Sequence, residues 1–191
     1  PHNLREVAKA IELVMTKRRP KPTTEELMAV LPGPDFPSGG IVVDDGLSDA
    51  YETGRGSFRI RSRAHVEQIT RNRQAIIVTE LPYQVGAERV LAKVQELANN
   101  GKLVGIAGIA DLSDMNGLKI QIDVKPAVNP QAVLQELYRL TPLEETFGIN
   151  NVVLVSGVHT TLGVYDLCRH YIEHRLVVIV RRTEFRLAKA Q

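Results

Sequence analysis

Tryptophan is absent from this chain, cysteine occurs once, and aromatic residues make up only 5% of the sequence. A single cysteine, Cys168, excludes an internal disulfide and fits a reducing compartment. It lies in VYDLCRHYI at helical spacing from Val164, Tyr165, Tyr171 and Ile172, so packing is its expected role rather than nucleophilic chemistry. The scarcity of aromatics argues against a sheet that stacks RNA bases. No apolar run approaches the ~20 residues of a membrane span, and PHNLREVAKA has no apolar core of the kind a secretory leader needs. Charge of one sign is also lacking, because the net charge is only +2. Any interaction with polyanions has to come from local clustering.

What is present is an ordered series of local signals. Asn3 with Glu6 marks a helix start, and Val7, Ala10, Ile11 and Val14 predict a helix over about 4–16. KRRPKP follows as a basic connector, and Thr23 with Glu26 forms a capping box opening a short helix to about Val30. LPGPDFPSGG excludes regular structure. Residues 57–66 alternate and predict one strand, which a polar turn at 70–73 joins to AIIVTEL in a hairpin. A helix is expected over 86–99, with Gly101 as its stop, then a strand in 103–111. Asn116-Gly117 signals a hairpin turn into the alternating run 118–125. Asn129-Pro130 opens a helix to about Leu140. A short strand is expected at 150–156, and a helical pattern runs from Gly163 without a stop. The implied class is α+β, an antiparallel sheet with packed helices in the order β-β-α-β-β-α, followed by a long helix of the coiled-coil type.

Chemistry-bearing residues are sparse. T-G-R-G at 53–56 precedes a strand, and no G-K-[ST] occurs, so a phosphate loop is excluded. His170 and His174 share a helix face, but no carboxylate or cysteine set completes a metal shell. Asp44-Asp45 and Glu144-Glu145 sit beside turns without a catalytic pattern, the five tyrosines read as packing residues, and no nucleophile–base set is visible.

The local charge is more informative. Between Thr53 and Arg73 six arginines (55, 59, 61, 63, 71, 73) face one acid, Glu67, a surplus larger than that of the whole chain. Alternation in a strand would place Arg59, Arg61 and Arg63 on one face at steps of ~6.6–6.8 Å, with Phe58 and Ile60 supplying core. Such a row suits phosphate oxygens. It equally suits a solvated face salt-bridged to the next strand or to a partner protein, and composition leaves both readings open. The final helix carries a further basic surplus, from Arg169 to Lys189, which reads as a solvated face.

Several blocks together carry a resemblance: PHNLREV, LPGPDFPSGGI, AYETGRGSFRIRSRA, IIVTELPYQV, TFGINNVVLV and YIEHRLVVIVRRTEFRLAKA. In order and over essentially the whole chain, they resemble the A subunit of bacterial type IIA DNA topoisomerases, gyrase and topoisomerase IV. The resemblance implies a connector at 1–50, an α+β tower domain at 51–160 and the start of a long coiled-coil arm at 161–191. It implies that the catalytic tyrosine, its neighbouring arginine and the isoleucine that wedges into bent DNA lie upstream of Pro1, so no catalytic residue is expected here. The parent enzyme would be an A2B2 assembly in the cytoplasm, associated with the nucleoid. It would cut one duplex and pass another through, with ATP and Mg2+ handled by the B subunit. The main dimer contact would lie beyond Gln191, so the chain itself is expected to be monomeric. The tower's task would be to grip and bend the cleaved duplex. The matching positions expected to touch DNA are Arg55, Arg59, Arg61 and Arg63, with His2 and Asn3 near the bend. MTKRRPKP is more basic than the equivalent stretch of gyrases, and LTPLEETFGINN looks closer to actinobacterial topoisomerase IV, which tilts the reading toward that enzyme. The competing class is a protein-interaction module whose basic surfaces bind a partner subunit.

Overall fold

The computed structural model describes residues 1–43 and 46–191; the Asp44-Asp45 pair lies outside the described residues. In chain order the elements are α1 (Leu4–Thr16), α2 (Thr24–Val30), β1 (Ile41–Val42), α3 (Gly46–Thr53), β2 (Arg55–Arg61), β3 (Arg63–Thr70), β4 (Arg73–Glu80), α4 (Ala87–Asn99), β5 (Ile106–Asp111), β6 (Ile120–Val124), α5 (Pro130–Leu140), β7 (Glu144–Asn150), β8 (Val152–Val155), β9 (Val158–Thr161) and α6 (Val164–Ala190). The class is α+β with antiparallel sheets and a long final helix. The described residues fall into two compact units, one of residues 1–35, 46–57 and 148–191 and one of residues 36–43 and 58–147.

The first unit is mainly helical. Asn3 caps α1, its side chain accepting the Arg5 N–H at 3.0 Å, and Ala10 and Val14 are buried. Thr23 and Glu26 form the expected capping box, with reciprocal bonds of 3.3 and 3.0 Å, and Lys17 salt-bridges Glu26. Two glycines allow backbone to meet backbone. Gly54 closes α3 in the left-handed region (φ +79°), where a Cβ would collide with the Leu162 backbone. A Cβ on Gly163 would run into the carbonyls of Tyr51 and Glu52, so the start of α6 lies directly on the end of α3. α6 spans 27 residues, about 40 Å, and only Val164 and Cys168 on it are buried.

The second unit holds the expected β-β-α-β-β-α module. Its four-stranded sheet has the order β3-β4-β6-β5, all antiparallel. Register pairs Ile76 with Ile122 and Val78 with Ile120. These four side chains lie on one face, packed with Val90, Val94 and Leu97 of α4 and Val133, Leu134 and Leu137 of α5. Each fully buried aliphatic contributes about 1.5–3 kcal/mol. Period-two alternation in the strands and helical spacing in α4 and α5 thus meet in one core. The Asn116-Gly117 turn is present, with Asp114 and Gly117 exchanging backbone bonds of 3.1 Å. Gly101 ends α4 with φ +68°.

The structure departs from the expected elements in several places. Residues 57–66 are two strands, because Ser62 interrupts the run: fully buried, it donates its N–H to Leu143 O at 2.8 Å. β2 ends at Arg61 in the sheet of order β1-β2-β7, whereas Arg63 begins β3 of the four-stranded sheet. The strand expected at 150–156 is present as β8, and two strands that were not expected flank it: β7, which Glu144 and Glu145 open directly after a turn at 142–143, and β9, the hairpin partner of β8. Tyr171 is half exposed on α6, while Tyr51 is buried as expected.

Candidate nucleic-acid interface

In β2 the alternation does what the pattern implies. Phe58 and Ile60 are 1% and 2% exposed, with Phe58 against the Phe147 ring at 5.6 Å, while Arg59 and Arg61 take the other face. Both guanidinium groups converge on one carboxylate from β7. Arg59 Nη1 donates to Glu144 Oε1 at 3.0 Å, and Arg61 Nε donates to Glu144 Oε2 at 2.6 Å. Arg61 also lies over the Tyr138 ring, 4.5 Å from its centroid. The Tyr138 hydroxyl donates to Ser62 O at 3.3 Å, and burial pushes its ionisation up.

Arg63 repeats the arrangement in the neighbouring sheet. Its Nε donates to Glu80 Oε1 at 2.9 Å, and Glu80 Oε2 accepts the Gly40 N–H at 2.7 Å. Exposure orders these layers. The Glu144 side chain is 12% exposed, against 50% for Arg59 and 31% for Arg61. Glu80 is 32% exposed, against 57% for Arg63. The carboxylates sit behind and the guanidiniums in front, so solvent meets positive charge although each arginine is paired. Five fixed donors per guanidinium leave room for a second acceptor beyond the single Nε bond of Arg63.

The structure therefore brings Arg59, Arg61 and Arg63 into one unit, but on two strands rather than along one. The other expected contacts belong to the first unit. Arg55 is exposed and has no side-chain partner among the described residues. His2 Nε2 meets the Tyr51 hydroxyl at 2.8 Å, and burial lowers its pKa. Asn3 is engaged as the α1 cap and donates Nδ2 to Asp35 at 3.3 Å. Glu144, Glu80 and Tyr138 are the residues that sequence reasoning missed. The alternation in EETFGIN was the available signal for Glu144.

Elsewhere the chemistry is thin. Burial raises the Cys168 thiol pKa, which disfavours the thiolate. Arg169 bonds Asp166 and Glu173 within α6 at 3.3 and 2.9 Å. Among the described residues no group of three His, Cys, Asp or Glu side chains is arranged to hold a metal, and no helix is long and apolar enough to cross a membrane.

Comparison with known proteins places the chain in a family. The profile of the family described as the DNA gyrase/topoisomerase IV A subunit matches residues 1–191. The chain is 42% identical to the DNA gyrase A subunit of Mycobacterium tuberculosis strain H37Rv, covering all of this chain and 23% of that protein. It is 41% identical to the protein of the same name from Ureaplasma parvum, again covering 23% of it, and 40% identical to that of Leptospira biflexa, covering 22%. These relatives carry the gyrase name and lend no support to the tilt toward topoisomerase IV, although the profile spans both enzymes. The chain spans less than a quarter of the length of these relatives, and over its whole length it belongs to the family of DNA gyrase and topoisomerase IV A subunits.

Proposed function

We propose that this chain is part of the DNA breakage–reunion subunit of an ATP-dependent type II topoisomerase, and that its own contribution is to grip the duplex and help bend it. The observation that carries this is the layered arginine cluster, with Arg59, Arg61 and Arg63 in front of the partly buried carboxylates of Glu144 and Glu80. The carboxylates fix the guanidinium planes before DNA arrives, so less side-chain freedom is lost on contact. Contacts of this kind go to phosphates and position the duplex without reading its bases. Bending a site costs on the order of 1–6 kcal/mol, offset by contacts the bend permits.

In this reading Arg55, His2 and Asn3 add contacts from the first unit. Residues 1–50 act as a connector, 51–160 as the tower and 161–191 as the beginning of the arm. The reacting tyrosine and the ATP and Mg2+ chemistry belong to other parts of an A2B2 assembly, so the chain alone is inactive. Its partners are duplex DNA, the B subunit, and a second copy of its own parent chain, in the cytoplasm and at the nucleoid.

A second reading, a protein-interaction module, has one observation in its favour: the three arginines of the row already face the carboxylates of Glu144 and Glu80, which offset much of their charge. Titrating the chain with a duplex of about 30 bp and with purified B subunit separates the two. DNA binding that weakens steeply from about 50 to 300 mM salt supports the first reading. Salt-insensitive binding to the B subunit, with none to DNA, overturns it.

A further inference from the structure

The arginine-rich segment ends at the β3–β4 turn, away from the row. There the structure forms a recess of about 240 Å3 lined by Gln68, Arg71, Asn72, Gln74, Lys125 and Ala127 among others. Among the described residues no carboxylate lines it. Arg59, Arg61, Arg63, Arg73 and Arg89 each have an acidic partner, whereas Arg71 and Lys125 have none among the described residues. Carboxamides beside two uncompensated cations make a donor-rich, acid-free cavity, which suits an oxyanion.

The backbone around the recess is held in place. Gln68 Nε2 donates to the carbonyls of Thr70 and Arg73, bracing the turn, and a register shift lies between Gln68 and Thr70. Across from it, Lys125–Val128 forms a tight turn closed by the Val128 N–H to Lys125 O at 3.3 Å. Ala127 in that turn has φ +65°, a conformation alanine adopts rarely and one that clusters at binding sites.

We infer that this recess is a second phosphate-contact site, taking a backbone phosphate of duplex DNA through Arg71 and Lys125, with Asn72 and Gln74 supplying amide donors and Gln68 holding the turn. The inference rests on the DNA-gripping reading. It extends that reading along β3: eight residues separate Arg63 from Arg71, roughly 25 Å, which matches about seven base pairs of rise. Arg63 opens β3 and Arg71 lies in the turn just past its end, so the two contacts hold one duplex at separated phosphates.

The test is the salt dependence of duplex binding for Arg71→Gln/Lys125→Gln, made both in the wild-type chain and in a chain carrying Arg59→Gln, Arg61→Gln and Arg63→Gln. Loss of two phosphate contacts flattens the log–log slope by about 1.8 in either background. A slope within about 0.3 of the parent in both backgrounds overturns the site. Failure of the row is distinguishable, since the triple variant would then keep the wild-type slope while the recess variant still flattens it. Backbone amide shifts of Gln68, Asn72 and Gln74 provide a second readout. Shifts induced by the duplex support the site; shifts induced by inorganic phosphate but not by the duplex assign the recess to free phosphate and overturn the DNA contact. No duplex binding by the wild-type chain overturns both contacts.

Discussion

Replacing Glu144 by glutamine tests the support beneath the arginine row. The substitution keeps the shape and removes one negative charge that two guanidiniums share, at 3.0 Å to Arg59 and 2.6 Å to Arg61. Exposed pairs are worth about 0.2–1 kcal/mol, whereas breaking a fully buried pair costs about 3–5 kcal/mol. Glu144 is 12% exposed but its partners are 50% and 31% exposed, so the site lies between these limits. We expect Glu144→Gln to lower unfolding free energy by about 2 kcal/mol, read as a shift of the denaturation midpoint at unchanged m. The loss should divide unequally. Arg61 is closer, more buried and stacked on Tyr138, so a double-mutant cycle with Arg61→Gln should give a coupling of about 1–2 kcal/mol. The cycle with Arg59→Gln should give less than about 1 kcal/mol, falling further at high salt. A midpoint unchanged by Glu144→Gln, or a larger coupling to Arg59 than to Arg61, would refute the layered arrangement.

Three further outcomes follow from the packing. Phe58→Ala removes a side chain 1% exposed against Phe147, and should cost about 3–5 kcal/mol by chemical denaturation. Gly163→Ala forces a Cβ into the carbonyls of Tyr51 and Glu52, which cannot swing aside as a side chain would; about 2 kcal/mol or more is expected, visible as a lowered Tm. His2 has a folded pKa below its ordinary value of 6.5, because burial disfavours the imidazolium. The unfolded chain then binds the proton more readily, so this stabilisation is present above pH 6.5 and lost as pH falls through the lowered folded value. Stability of wild type and His2→Gln measured from pH 7.5 to 5 should differ in slope, and parallel curves would contradict the assignment.

Much of the fold was legible because local signals agreed with tertiary burial. The Thr23–Glu26 capping box, Asn129-Pro130 and Asn116-Gly117 each fix a boundary by short-range chemistry, and each boundary is present. The continuous β-rich run of β4, the alternation of β6 and the helical spacing of α4 and α5 reveal the same core. The break at Ser62 was not legible. A serine inside an alternating run carries no turn signal, and what ends β2 there is a bond to Leu143 from a distant segment. β7 was hidden for a similar reason, since its charged start, Glu144-Glu145, reads as solvated until Arg59, Arg61 and Arg89 are in place. The arginine row itself was visible in the sequence, but the particular carboxylates that orient it were not, because that pairing exists only across strands.

The central claim is that the front layer of Arg59, Arg61 and Arg63 holds phosphates. The most direct measurement is fluorescence anisotropy of the chain with a duplex of about 30 bp from about 50 to 300 mM salt, beside Arg59→Gln/Arg61→Gln/Arg63→Gln, with circular dichroism confirming an intact fold. Each lost phosphate contact flattens the slope by about 0.9, so the account predicts a drop of about two or more. Equal slopes for the two folded proteins would show that these arginines serve the fold or a protein partner and not DNA.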